Sequence, residues 1–207
     1  MPILFAMIEA ADLSALTDRL WLWQAYDPDV KSDLFASAVK TAEGLFLVDP
    51  IPLASAPLSE LTAHGHVAGV LVTNANHPRA AVAFARDAGA TIFSAEPIIG
   101  ELGGGKTESI TGGEIIPGVA AIPLAGAAAG ETAFHFADHG GTVVIGDALI
   151  NFEPYGFTLL PAKYCSNQKE MRHSLRQLLD WPFERLLFAH GAPILSSART
   201  RLETLLR

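Results

Sequence analysis

The residues of this chain that could do chemistry stand where short apolar runs end. "GLFLVDP" (44–50) delivers Asp49, and "VTNANHPR" (72–79) delivers Asn74, Asn76, His77 and Arg79. "VVIGD" (143–147) delivers Asp147, "LLFAHG" (186–191) delivers His190, and Gly126 ends another such run. Carboxylate and imidazole are metal ligands. An asparagine amide is a poor zinc donor, and an arginine stays protonated and repels a cation. Polar groups just past the C-terminal ends of apolar strands escape the core and converge along one edge of layered sheets. A ligand site is expected at that edge.

The elements that must position these residues follow from pattern. "ASAVKTAEGLFLVDP" (36–50) reads as two strands joined by a turn at Glu43-Gly44. A helix is expected around 55–65, stopped by Gly65. The β-branched run "VAGVLVT" (67–73) is a buried strand, followed by a helix over 79–90 and a strand over 91–95, a β-α-β unit. Pro78 suits a first helical turn and biases His77 away from helical angles, so His77 reads as the cap. Strands then follow at 112–126, 131–137 and 142–149, with "DHGG" (138–141) closing a hairpin. Met171, Leu175, Leu178 and Leu179 share a face of a helix over 167–181. A last strand (185–191) and a terminal helix (196–207) complete the chain.

Bulk properties set limits. The chain has 207 residues, half of them hydrophobic and 17% charged, the balance of a folding sequence. A net charge of −8 repels phosphate backbones, so no nucleic-acid partner is expected. One cysteine, Cys165, permits no intrachain disulfide and no cysteine-rich zinc site. No apolar run approaches the roughly 20 residues that span a bilayer. The segment "MPILFAMIEAADL" lacks the basic start of a signal peptide. A cytoplasmic protein without a membrane partner is the expectation.

The order of the strand ends resembles the metallo-β-lactamase superfamily over about residues 36–207. "GLFLVDP" is similar to its early strand ending in aspartate, and "LVTNANHPRAA" (71–81) occupies the place of its Thr-His-x-His-x-Asp-His segment. "GGEIIPGVAAIPLAGAAAGETAFHF" (112–136) stands for the stretch with its Pro-Gly-His-Thr-x-Gly turn, "VVIGDAL" (143–149) for the strand with the bridging aspartate, and "LLFAHG" for the last histidine. The resemblance implies an α+β fold, a four-layer αββα sandwich, as one domain over 1–207.

Set on that pattern, the family's first two histidines fall on Asn74 and Asn76. Its aspartate falls on Pro78, the histidine after it on Arg79, and the next near Ala127. Only Asp147 and His190 match ligand positions. The resemblance therefore implies that no dinuclear zinc centre forms and that no metal cofactor is expected. Asp147 then needs a partner, and Arg79, or in its place Lys163, is expected to pair with it where zinc would stand. The alternative is one divalent ion held by His77, Asp147 and His190. Against it stands the plainer reading that His77 caps a helix and His190 bonds backbone.

The remaining motifs carry less. "GELGGGKT" (100–107) spells a phosphate-loop pattern, but the residues after it do not favour the helix that pattern needs, so a surface loop is expected. "HGH" (64–66) precedes its strand and so lies at the opposite edge; His135 and His139 read as hairpin residues. Cys165 reads as a packed or incidental thiol, and Trp21, Trp23 and Tyr26 as an early aromatic cluster in core or edge packing, with Trp21 and Trp23 alternating as on one strand face. The expectation is a pseudoenzyme: a degenerate family member acting as a small-molecule-binding or protein-interaction module, with a homodimer open. The rival is a metallo-hydrolase rebuilt on His77, Asp147 and His190.

Overall fold

The computed structural model describes residues 8–207. The leader reading rests partly on residues 1–7, which lie outside the described residues. In chain order the elements are β1 (Ser14–Ala15), β2 (Leu20–Asp27), β3 (Ser32–Thr41), β4 (Gly44–Val48), α1 (Ser55–Thr62), β5 (Val67–Leu71), α2 (Ala81–Ala88), β6 (Thr91–Ser94), α3 (Glu96–Ile99) and β7 (Thr107–Ser109). There follow β8 (Gly113–Ile116), β9 (Val119–Pro123), β10 (Thr132–Phe136), β11 (Thr142–Ile145), β12 (Leu149–Phe152), β13 (Gly156–Leu159), α4 (Gln168–Ser174), β14 (Arg185–Phe188) and α5 (Ala198–Leu206).

β1 to β7 form one sheet in sequence order, and β14-β11-β10-β9-β8 form a second. Alternation along the strands divides the apolar residues among three cores. Leu20, Val39, Phe46 and Leu71 of the first sheet meet Val119, Phe134, Val144 and Leu187 of the second between the sheets. Trp21, Trp23, Leu45, Leu47 and Val70 point outward, against Leu61 of α1, Ala81 and Ala85 of α2 and Ile98 of α3. Ala133, Val143, Leu186 and Phe188 point outward on the other side, against Met171 of α4 and Leu202 and Leu206 of α5. The layers are therefore helix, sheet, sheet, helix, as the resemblance implied. Each fully buried large apolar side chain contributes about 1.5–3 kcal/mol. Trp23 adds specificity, since its buried Nε1 donates to Ile51 O at 2.9 Å.

Local departures from the sequence reading have local causes. α2 begins at Ala81, after a residue with positive φ at Arg79, so Pro78 stands before the helix. Gly89 ends it, in the left-handed conformation. The expected helix over 167–181 is two pieces: α4, capped by Asn167 Oδ1 accepting from Glu170 N at 3.1 Å, then a tighter 3₁₀ turn over Leu175–Asp180. Met171, Leu175 and Leu178 are buried, as their spacing implied. After the glycine run 103–105 comes β7 and no helix, so the phosphate-loop geometry is absent there.

Topology brings the candidate residues to one edge. β4 and β5 run parallel, so Asp49 and Asn74 emerge together. β11 and β14 run parallel, so Asp147 and His190 do the same. The two sheets are tied at this edge by Thr132 N donating to Thr73 O (2.7 Å) and Phe35 N donating to Ala189 O (3.0 Å). At Gly146 the backbones approach so closely that a Cβ would lie 2.5 Å from Thr73 Oγ1 and 2.9 Å from Glu131 Oε1.

Candidate metal centre

The site is built outward from Asp49. Its backbone, at φ 47, turns its carboxylate into the protein, where it is 2% exposed. Oδ1 accepts from Thr73 N at 2.8 Å, and Oδ2 accepts from Thr73 Oγ1 at 2.5 Å. Oδ2 also lies 2.9 Å from His77 Nδ1. A carboxylate only accepts, so His77 carries a proton on Nδ1 and turns Nε2 the other way. Nε2 then stands 3.3 Å from Asp147 Oδ1, and His190 Nε2 reaches the same oxygen at 3.3 Å. The other Asp147 oxygen accepts from Asn76 Nδ2 at 3.0 Å.

Charge follows from this nesting. Burial and the Arg79 cation push the His77 imidazolium down, but Asp49 and Asp147 outweigh them and raise its pKa to about 9. Burial pushes both aspartates up. The His77 charge, with hydrogen bonds from the imidazoles, reverses this and holds both below the ordinary carboxylate range. Without metal the edge is a buried chain of contacts, Asp49–His77–Asp147–His190, whose two aspartates favour the protonated form of His77.

Two expectations for this cluster are corrected. Arg79 does not pair with Asp147: its Nη1 donates to Phe35 O at 2.7 Å and Asp49 O at 3.1 Å. Two imidazoles and Asn76 already serve Asp147, while the carbonyls of Phe35 and Asp49 gain a buried donor from the guanidinium. Lys163 is also absent from the site; it sits exposed on a turn over Ala162–Tyr164, its Nζ 4.6 Å from the Tyr164 ring centre. His77 is not a helix cap either, since Ala80 precedes α2 and no side chain caps it. His190 does bond backbone, Nδ1 lying 3.3 Å from Asp33 O, but its other nitrogen faces Asp147. Arg79→Ala should destabilise the fold by about 3 kcal/mol in urea titration, because it strips a buried cation from two acceptors beside buried aspartates.

One participant had no place in the sequence reading. Glu131, 2% exposed, accepts from Asn74 Nδ2 at 2.7 Å and from Ala148 N at 3.1 Å. Burial and the charge of Asp147 raise its pKa to about 8, against the hydrogen bonds it accepts and the pull of His77. It precedes β10, which runs antiparallel to β11, so its start lies at the edge where β11 ends. The rule of C-terminal strand ends finds only the parallel strands. The signal available was a lone acid in the Gly- and Ala-rich run 125–131 ahead of an apolar strand.

The arrangement decides which metals the residues suit. His77, Asp147 and His190 each offer a ligand atom, all within 4.8 Å of one another. Metal–ligand bonds of about 2.0–2.1 Å in tetrahedral array place ligands about 3.3 Å apart. That matches the His77–Asp147 and His190–Asp147 separations, both 3.3 Å, and Asp49 supplies the outer hydrogen bond that His77 needs as a ligand. A second ion does not fit. Asn74 is committed to Glu131, Asn76 donates to Asp147, Arg79 is a cation on carbonyls, and Pro78 and Ala127 offer no side-chain donor.

The family model of the metallo-β-lactamase superfamily matches residues 14–207. The chain belongs to the metallo-β-lactamase superfamily. Solved structures of this superfamily share its fold. A metallo-β-lactamase from Pontibacter korlensis is 15% identical, with a TM-score of 0.70 over 94% of this chain and 98% of the other. The metallo-β-lactamase FIM-1 from Pseudomonas aeruginosa, in its mono-zinc form, is 13% identical, with a TM-score of 0.68 over 94% of each chain. The metallo-β-lactamase DIM-1 is 11% identical, with a TM-score of 0.71 over 94% and 96%. No curated protein sequence matches. Within this metallo-β-lactamase fold, a cleft of about 530 Å³ opens beside His190, lined by Tyr26, Lys31, Phe35, Phe152, Glu153 and Gly191 among others. A smaller hollow of about 140 Å³, among Arg19, Lys40 and Arg185, lies at the opposite end of the sandwich, away from this chemistry. Among the described residues, no helix is long and apolar enough to cross a membrane.

Proposed function

We propose that this metallo-β-lactamase-fold chain is a metal-dependent hydrolase with a single-ion centre on His77, Asp147 and His190. The observation that carries the reading is the pair of imidazole Nε2 atoms converging at 3.3 Å on one Asp147 oxygen. A divalent ion held there supplies Lewis-acid activation of water and of a carbonyl or phosphoryl oxygen. The chain's own residues prepare the ligands. Asp49 fixes the tautomer of His77, Thr73 fixes Asp49, and Asn76 occupies one Asp147 oxygen so that the other lies between the imidazoles. The cleft beside His190 is of a size that holds small molecules. Its aromatic side chains, Tyr26, Phe35 and Phe152, suit an apolar substrate body.

Protein stripped of metal and titrated with zinc, cobalt or manganese should take up one equivalent. It should then hydrolyse a substrate from an ester, thioester, lactam and phosphodiester panel, with activity lost to a chelator. Two tightly held equivalents would overturn the single-ion centre. Micromolar binding by none of the three metals, with no turnover, would leave the binding-module reading in its place.

A further inference from the structure

Glu131 and Asn74 connect the two loops that carry the proposed ligands. Asn74 Nδ2 donates to Glu131 Oε2 at 2.7 Å, and Asn74 Oδ1 accepts from Asn76 N at 2.8 Å, fixing the loop just before His77. Glu131 Oε1 accepts from Ala148 N at 3.1 Å, fixing the backbone just after Asp147. Glu131 and Asn74 are both buried, with no solvent to replace a lost partner. The backbone of Glu131 is held in turn, its carbonyl accepting from Leu124 N at 2.8 Å. The absence of a side chain at Gly146 makes this approach possible, since a Cβ there would meet Asn74 Nδ2 at 2.7 Å and Glu131 Oε1 at 2.9 Å.

We infer that Glu131 is a positioning residue: through Asn74 on one side and Ala148 on the other, it sets the separation between His77 and Asp147. The inference rests on the single-ion reading for its purpose, but its geometry stands without any ion. The direction of each hydrogen bond is the essential property. Asn74 has one oxygen, already committed to Asn76 N, so it must present its amino group to residue 131. Residue 131 must therefore accept on both sides, which a carboxyl group does and a carboxamide does not.

That polarity defines the test. Glu131→Gln preserves shape but sets a donor against the Asn74 amino group. The double variant Glu131→Gln with Asn74→Asp exchanges donor and acceptor. The new carboxamide then donates, and the new carboxylate accepts both from it and from Asn76 N. Zinc affinity by competition with a chelating dye should fall about 10- to 100-fold in Glu131→Gln. It should return to within a few-fold of the parent in the double variant. Crystal structures of the metal-free proteins should show the His77–Asp147 separation widened in the single variant and restored in the double. A mere packing role would leave the single variant unaffected and give no rescue. The inference is overturned if Glu131→Gln keeps the parent separation, or if the double variant, folded by near-ultraviolet circular dichroism, fails to restore it. If the parent binds no zinc, the single-ion reading fails by itself, and the crystallographic separations still decide the role of Glu131.

Discussion

Asp147→Asn should weaken zinc binding at least 1,000-fold while leaving the sandwich folded. The substitution keeps volume and the contact to Asn76, but it removes the one charged oxygen toward which His77 and His190 both point. Two neutral imidazoles and an amide are a poor donor set for a divalent ion. The same change acts on the protein without metal. His77 loses one of the two carboxylates that hold its pKa up, so burial and the Arg79 cation are opposed by Asp49 alone. The variant should therefore titrate His77 well below about 9, visible in the imidazole nitrogen shifts. The readouts are dye-competition affinity and the rise in melting temperature on adding zinc, which follows mass action and should vanish. Zinc affinity unchanged in the variant would place the ion elsewhere and remove the basis of the single-ion reading.

How much of this was legible in the sequence depends on the range of each determinant. Asp49, Asp147 and His190 were readable because each follows four or five apolar residues that can only be a buried strand, and parallel strands deliver their ends to one edge. Trp21 and Trp23 were readable as one face because strand alternation is local. His77 was misread because the local rule, a residue before proline opening a helix, competes with Asp49, 28 residues away in sequence. Arg79 was misread for a similar reason. Its positive φ and its acceptors on β3 and just past β4 are products of the assembled sheets, and pairing by charge alone favoured Asp147. Glu131 was invisible because antiparallel strands bring their first residues, not their last, to the same edge. The two asparagines were seen but not understood. They are the members of the site whose amides can donate and accept at once, which lets one loop satisfy a carboxylate, an acid and a backbone amide in sequence.

Metal-free protein should be most stable near pH 5 and lose stability steadily from pH 6.5 to 9. The sign follows group by group. Glu131 is raised from 4.5 to about 8 in the folded state, so the native protein holds a proton there that the unfolded chain releases. Its contribution is complete below pH 4.5 and is lost as pH rises to about 8. His77 is raised from 6.5 to about 9, so its contribution is complete below 6.5 and is lost as pH rises to about 9. Between pH 6.5 and 8 the native state thus carries about two extra protons, and each weakens the folding equilibrium about tenfold per pH unit. Asp49 and Asp147 are lowered from 3.8, so they stabilise above that value and fail in acid, which sets the lower limit. His135 is lowered by burial and acts the other way below 6.5, flattening the maximum without moving the alkaline limb. Urea midpoints measured across pH should show this slope, and Glu131→Gln should reduce it by one proton over pH 4.5 to 8. Zinc should reverse the trend, because ion and proton compete for His77 Nε2, and affinity should climb between about pH 7 and 9 as that proton becomes easier to remove. A stability curve flat across 6.5 to 8, with zinc affinity equally flat, would mean that His77 is neutral in the folded protein. The charge assigned to His77 between the two aspartates would then be wrong, and with it the account of how this edge is held together before a metal arrives.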